Sequence, residues 1–316
     1  MSTPIAQNLK EFLEYLEIER GRSARTLENY AYYLRRFVAW AKITTTSQIS
    51  AEIIRRFRLH LNRTLSGRGT ETLNRSTQNY HLIALRSFLK YLAKRDIKTL
   101  APEKIELAKQ TARQVQFLEP DELARILALP ATNPTIIGYR DRALLELLFS
   151  TGLRVSEAVN LRIDQINLKR NEFSVLGKGN KQRLVFLSPA ALIALANYLK
   201  KRPDLSEFLF VRHDRAKNAP HTITAPLTAR SVQRIVDAYA RAAGVVKAVT
   251  PHTLRHTYAT DLLRNGADIR SVQALLGHES ILTTQVYTHI TDRHLKQIYD
   301  DFHDKSKPTK NTNKKT

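Results

Sequence analysis

Apolar residues recur at helical spacing through most of the first hundred positions of this chain, and then the pattern stops. Leu9, Phe12, Leu13 and Leu16 mark one helix, and Leu27, Tyr30, Leu34, Phe37 and Val38 mark a second, so that residues 9–41 read as a helical pair. Gly21 separates the two, and Ser23 or Thr26 suits the N-cap of the second. Further helices are predicted over 50–62 and 76–93, the latter from Tyr80, Ile83, Leu85, Phe88, Leu89 and Leu92. Between Lys98 and Gln116 the period fades into polar sequence. A helical domain over 1–100 is therefore expected to end in a linker over 101–116, in a chain whose 316 residues suffice for about two domains.

The second half carries different punctuation. A helix from about Tyr139 to Phe149 must stop before Gly152, and another begins near Arg154. Two β-rich runs, Glu172–Leu176 and Arg183–Leu187, flank Gly177-Lys178-Gly179-Asn180, whose Gly and Asn residues permit the positive φ angles of a tight hairpin. Lys178 would project from its tip. Thr250 suits an N-cap with Pro251 in the first helical position, and Gly266 follows the end of that helix. Asp268 caps the next, which stops at Gly277. The expected fold is mainly α with a small β-sheet: an all-helical amino-terminal domain and a mixed α/β domain over 117–303. Residues 304–316 hold five lysines and no apolar side chain, the composition of a disordered tail.

Charge narrows the partner. Lysine and arginine exceed aspartate and glutamate by 51 − 29 = 22, with a pI near 10.2, which favours a polyanion. An anionic membrane would answer the same charge, but there is no apolar run long enough to span a bilayer and the Met-Ser-Thr-Pro start is not a signal peptide. Nucleic acid is the better match. The chain has no cysteine, which excludes disulfides, thiolate nucleophiles and Cys-ligated zinc and suits a reducing cytoplasm.

Tyr287 lies nine positions after His278, and His252-Thr-Leu-Arg255-His256 comes shortly before. Displacement at a phosphodiester needs a nucleophile, cations on the non-bridging oxygens and a proton for the leaving oxygen. A phenol, arginine forks and a lysine supply these. His252 and Arg255, three apart at a helix N-terminus, share a face toward which backbone N–H groups and the positive dipole end point. Each residue alone has an ordinary reading. Arg154 would be an ion-pair residue, Lys178 a solvated turn, His278 a helix-end residue and Tyr287 one core aromatic among twelve tyrosines. Their joint occurrence in order shifts the balance toward chemistry. His252 and His256 have the spacing of a metal pair, but Thr253 stands where the zinc-protease pattern requires Glu and Arg255 would repel a cation, so no metal site is expected.

Four stretches carry a resemblance: Thr151-Gly-Leu-Arg154-Val-Ser-Glu157, Gly177-Lys178 through Arg183, His252-Thr-Leu-Arg255 through Thr260, and Leu276-Gly-His278 through Tyr287-Thr-His289. Together they resemble the tyrosine recombinase (phage integrase-like) family, in particular its Xer-type branch. Phe12-Leu-Glu-Tyr-Leu, Arg22-Ser-Ala-Arg-Thr-Leu and Ala84 through Leu92 resemble its SAM-like core-binding domain. The resemblance implies that Tyr287 attacks the scissile phosphate to form a 3′-phosphotyrosyl link, with Arg154, Arg255 and His278 on the non-bridging oxygens. Lys178 would protonate the leaving 5′-oxygen, His252 would accept the phenol proton, and Glu157 would orient the site. It further implies exchange through a Holliday junction without cofactor, metal or ATP, on a double-stranded DNA recombination site. The acting unit would be a homo-tetramer or a heterotetramer with a related recombinase, with a DNA translocase as a further partner left open. The apolar stripe of Leu295, Ile298, Tyr299 and Phe302 would pack on a neighbouring subunit or on its own domain. Chromosome dimer resolution in the cytoplasm is the leading role implied, beside a mobile-element integrase, a topoisomerase or a noncatalytic DNA-binding relative. Phe186 departs from the proline common in Xer-like sequences, a change on a strand edge expected to be neutral.

Overall fold

Amphipathic helices build the amino-terminal half because their apolar stripes have nowhere to go but against one another. A computed structural model describes residues 4–65, 72–108, 116–177, 182–213 and 225–277, and the chain divides into two compact units, Met1–Arg113 and Gln114–Thr316. The first unit contains α1 (Ile5–Ile18), α2 (Ala24–Ala41), α3 (Ala51–Arg63) and α4 (Arg75–Ala93). Phe12 lies in its core, with ring centroids 5.4 Å from Phe88 and 5.3 Å from Tyr91. Helix α1 starts earlier than the periodicity suggests, because Ile5 is buried and its N–H donates to the Thr44 carbonyl. Ser23 has the N-cap position of α2, but its hydroxyl meets that of Thr26 at 3.0 Å instead of capping the backbone. Asn74 caps α4 by accepting from the Thr77 N–H at 2.8 Å.

Two residues counted as apolar markers of α4, Tyr80 and Ile83, are exposed. The buried face runs through Asn79, Leu82, Leu85, Phe88, Leu89 and Leu92, and the helical period turns positions 80 and 83 away from it. Ile105, within the stretch read as a linker, is fully buried in this unit's core. Asn79 holds the backbone nearby, exchanging hydrogen bonds with the Ala108 carbonyl (2.9 Å) and N–H (3.1 Å).

The second unit is organised around α6 (Ile136–Thr151), whose Ala143, Leu144, Leu145, Leu147 and Leu148 are fully buried. Burying each leucine contributes about 1.5–3 kcal/mol. Around α6 come α5 (Pro120–Ala128), the short α7 (Val155–Val159), α8 (Pro189–Lys201), α9 (Ala229–Ala242), α10 (Pro251–Arg264) and α11 (Ile269–Leu276). Strands β1 (Glu172–Leu176) and β2 (Gln182–Phe186) pair antiparallel, with Glu172 opposite Phe186 and Leu176 opposite Gln182. Phe173, Val175 and Val185 face the core, whereas Leu176, Leu184 and Phe186 face outward.

The carboxy-terminal helices follow their punctuation. Thr250 caps α10, accepting from the Thr253 N–H at 3.2 Å, with Pro251 as the first helical residue. Asp268 accepts from the N–H groups of Arg270 and Ser271, both at 2.9 Å, and α11 ends on Gly277 at φ +64°. Ala259, Leu263, Val272 and Leu276 seal these two helices together. Lys178, His278, Tyr287 and the lysine-rich tail lie outside the described residues.

Candidate active site

The site begins where α6 stops. Gly152 takes the left-handed conformation at φ +58°, and a Cβ there would come within 2.5 Å of the Tyr258 ring. Only glycine fits that turn comfortably. The chain reverses, and Arg154 becomes the N-cap residue of α7. Glu157, at the third helical position, accepts from the Arg154 N–H at 2.8 Å and from Arg154 Nη1 at 3.0 Å. Its carboxylate therefore caps the helix and holds the arginine side chain together.

A second arginine comes from α10. Arg255 is buried, and its Nη1 and Nη2 donate to the carbonyls of Gly152 at 2.5 Å and Leu276 at 2.6 Å. A third, Arg183, comes from β2 and makes a two-point pair with Glu157, at 2.9 and 2.7 Å. All three converge on the end of α11: Arg183 Nε donates to the Leu275 carbonyl at 3.2 Å, Arg255 to Leu276, and Arg154 Nη2 to Gly277 at 3.2 Å. A helix C-terminus leaves carbonyls without intrahelical partners and carries partial negative charge, so cations there are stabilised. The next residue along the chain is His278.

Arg154 is the more open of the first pair. Its side chain is 28% exposed, and a groove of about 700 Å³ opens beside it, lined in part by Ser156, Asn160, Ser174, Gly177 and Gln182. Arg154 carries five N–H donors in a planar fork, which suits an anion approaching from that groove.

Burial pushes the Glu157 carboxyl up, but the hydrogen bond from Arg183, that from the Arg154 N–H, the positive charge of Arg183 and the hydrogen bond from the Arg154 side chain outweigh it and hold the group below the usual carboxylate value. It stays ionised. His252 presents an open edge in the first turn of α10, and partial burial of its ring, then the charges of Arg255 and Arg154, push its imidazole below the ordinary value. His256 is pushed down to about 4 by burial, His252 and Arg255. Both rings are thus neutral near pH 7, and a neutral imidazole is a proton acceptor. Burial raises the Tyr258 phenol, against the opposing charges of Arg183 and Arg255.

Of the residues singled out in the sequence, Arg154, His252 and Arg255 come together. His252 and Arg255 do not present one shared open face: Arg255 turns inward onto two carbonyls while His252 stays at the surface. Arg183 stands inside one of the four motifs, but the sequence alone assigned it no role. A signal was present in the hairpin alternation, because Arg183 stands opposite inward-facing Val175 and a charge in an inward strand position requires a partner.

Comparison with known proteins covers nearly the whole chain. Residues 116–294 match the phage integrase family, and residues 9–96 match the phage integrase N-terminal SAM-like domain. The tyrosine recombinase XerD of Lacticaseibacillus casei is 38% identical over 300 residues, covering 93% of this chain and 98% of that protein. The tyrosine recombinase XerC of Pelobacter propionicus is 38% identical over 309 residues, covering 96% and 97%. A crystal structure of XerA recombinase aligns over 94% of this chain and 98% of its own at 29% identity and a TM-score of 0.51. A post-cleavage complex of XerH site-specific recombinase with palindromic difH substrate shares the fold, at 22% identity and a TM-score of 0.68 over 93% and 85% of the two chains.

Proposed function

The chain belongs to the phage integrase family of tyrosine recombinases, and from that premise we propose that it cuts and rejoins duplex DNA at a specific site through Tyr287. The phenol oxygen attacks the scissile phosphorus and its proton passes to His252. Arg154 and Arg255, with His278, hold the non-bridging oxygens as charge accumulates on them. The bond from phosphorus to the 5′-oxygen breaks, Lys178 protonates that oxygen, and a 3′-phosphotyrosyl link retains the bond energy. The 5′-hydroxyl of a second strand then reverses the step. Two such exchanges pass through a Holliday junction.

The observation that carries this reading is the convergence of Arg154 and Arg255 on the consecutive carbonyls of Gly277 and Leu276. It sets two permanent cations beside each other, immediately ahead of His278 in the chain and nine further positions from Tyr287. The low-lying imidazole of His252 supports its part as proton acceptor.

The substrate is a recombination site bound by four subunits, all copies of this chain or two copies each of it and a related recombinase. Likeness over nearly full length to XerD and XerC proteins supports chromosome dimer resolution in the cytoplasm over mobile-element integration. No helix among the described residues is long and apolar enough to cross a membrane. Trapping covalent protein–DNA adducts in cells and sequencing the attached DNA tests the assignment. A single recurrent palindrome-like site near the replication terminus is expected. Scattered sites would identify a mobile-element enzyme, and no adduct would remove the recombinase reading.

A further inference from the structure

Arg183 enters the site from the sheet. Its register opposite Val175 turns the side chain inward, and only 9% of it is exposed. A guanidinium in such a place is costly unless its charge and donors are answered. Here they are: the two Nη atoms take both oxygens of Glu157, and Nε takes the Leu275 carbonyl. The same carboxylate holds the backbone and the side chain of Arg154. Gly277 makes room for this arrangement, since a Cβ there, besides the strain of φ +64°, would lie 2.9 Å from Arg183 Cδ.

We propose that Arg183 is a positioning residue for strand cleavage, fixing the Arg154 guanidinium in one geometry through Glu157, while the Leu275 carbonyl holds the Arg183 fork itself in place. The proposal rests on the reading that Arg154 binds the scissile phosphate. Arg183 acts through other groups, because its fork is aimed at protein acceptors. Lysine cannot reproduce the link: an ammonium is a point charge without the planar fork that spans two carboxylate oxygens and a carbonyl at once. Strand β2 begins four positions after Lys178 in the sequence, the residue proposed as leaving-group acid.

The test uses the full-length chain as wild type, Arg183→Lys, Arg154→Lys and the double variant, with a duplex carrying the captured site and a nick beside the cleavage position. Single-turnover adduct formation, affinity for the same duplex and Tm are measured for each. Arg183→Lys is expected to slow adduct formation by about tenfold to a hundredfold, the scale of a small misplacement at a reacting centre, with affinity near wild type and a Tm lowered by the lost hydrogen bonds but still above the assay temperature. Because Arg183 works through Arg154, the double variant should be no slower than Arg154→Lys alone. A wild-type rate for Arg183→Lys, a cost that multiplies with that of Arg154→Lys, or a loss of Tm and affinity that accounts for the slowing would each overturn the proposal. If Arg154→Lys itself cleaves at the wild-type rate, the underlying phosphate reading fails and takes the proposal with it. Should Arg183→Lys not fold, Arg183→Gln breaks the same link without leaving a charge in the buried position: slow cleavage that does not compound with Arg154→Lys supports the proposal, and wild-type cleavage overturns it.

Discussion

Arg255 Nη2 donates to the Leu276 carbonyl at 2.6 Å, which ties the first turns of α10 to the last residue of α11. Its Nη1 reaches the Gly152 carbonyl at the end of α6, so one side chain joins three helix termini. The residue assigned to phosphate binding is therefore also structural.

Arg255→Ala should lower stability as well as abolish cleavage. Two buried carbonyls lose their donors, each at about 1–3 kcal/mol, so a total loss of about 2–6 kcal/mol is expected. Urea unfolding of the variant checks this, and an unchanged midpoint would mean that the carbonyls are satisfied in another way.

Gly152→Ala probes the same junction from the backbone. The left-handed conformation at φ +58° costs a residue with a Cβ about 1–2 kcal/mol, and the clash with the Tyr258 ring adds to it. Chemical denaturation should show a loss of at least that size, with cleavage reduced because the acceptor for Arg255 moves.

Acid should weaken both fold and reaction. His256 has its folded value lowered to about 4, so the unfolded chain, near the ordinary imidazole value of about 6.5, takes up the proton first. Stability is fully present above about pH 6.5, is lost as pH falls from there toward about 4, and levels off below. His252, also lowered, acts in the same direction. In single-turnover cleavage the acid limb should lie below the ordinary imidazole value and vanish in His252→Asn, whose residual rate is flat across that range. A limb that persists in the variant assigns the base elsewhere.

Removing residues 305–316 deletes five lysines. Affinity for a nonspecific duplex should fall, and the slope of log affinity against log salt should shrink by up to about 0.9 for each phosphate that the tail neutralises. Fluorescence anisotropy over a salt series measures both, and equal slopes would leave the tail without a part in DNA binding. Cleavage of the captured site at low salt should be retained.

The helical content and the helix ends near the site were readable because each rests on local chemistry. Thr250, Pro251, Asp268 and Gly277 act on backbone groups within a few residues of themselves, and Leu85, Phe88, Leu89 and Leu92 repeat at a period that needs no tertiary information. The exposed Tyr80 and Ile83 show the limit of that logic, since composition marks a residue as apolar while only the phase of the helix says which way it points. Ile105 escaped because a lone buried residue has no period. The inward turn of Arg255 and the bridge from Arg183 to Glu157 link residues 103 and 26 positions apart. Such pairs leave no local trace, although the strand alternation pointed Arg183 inward.

Tyr287 is the nucleophile proposed for strand cleavage. The direct measurement is denaturing electrophoresis of wild type, Tyr287→Phe and Tyr258→Phe after incubation with the nicked duplex, with the DNA-linked peptide identified by mass spectrometry. A slow-migrating adduct in wild type and Tyr258→Phe, linked at Tyr287 and missing from Tyr287→Phe, is the predicted result. An adduct of undiminished yield in Tyr287→Phe would mean that another residue attacks the phosphorus.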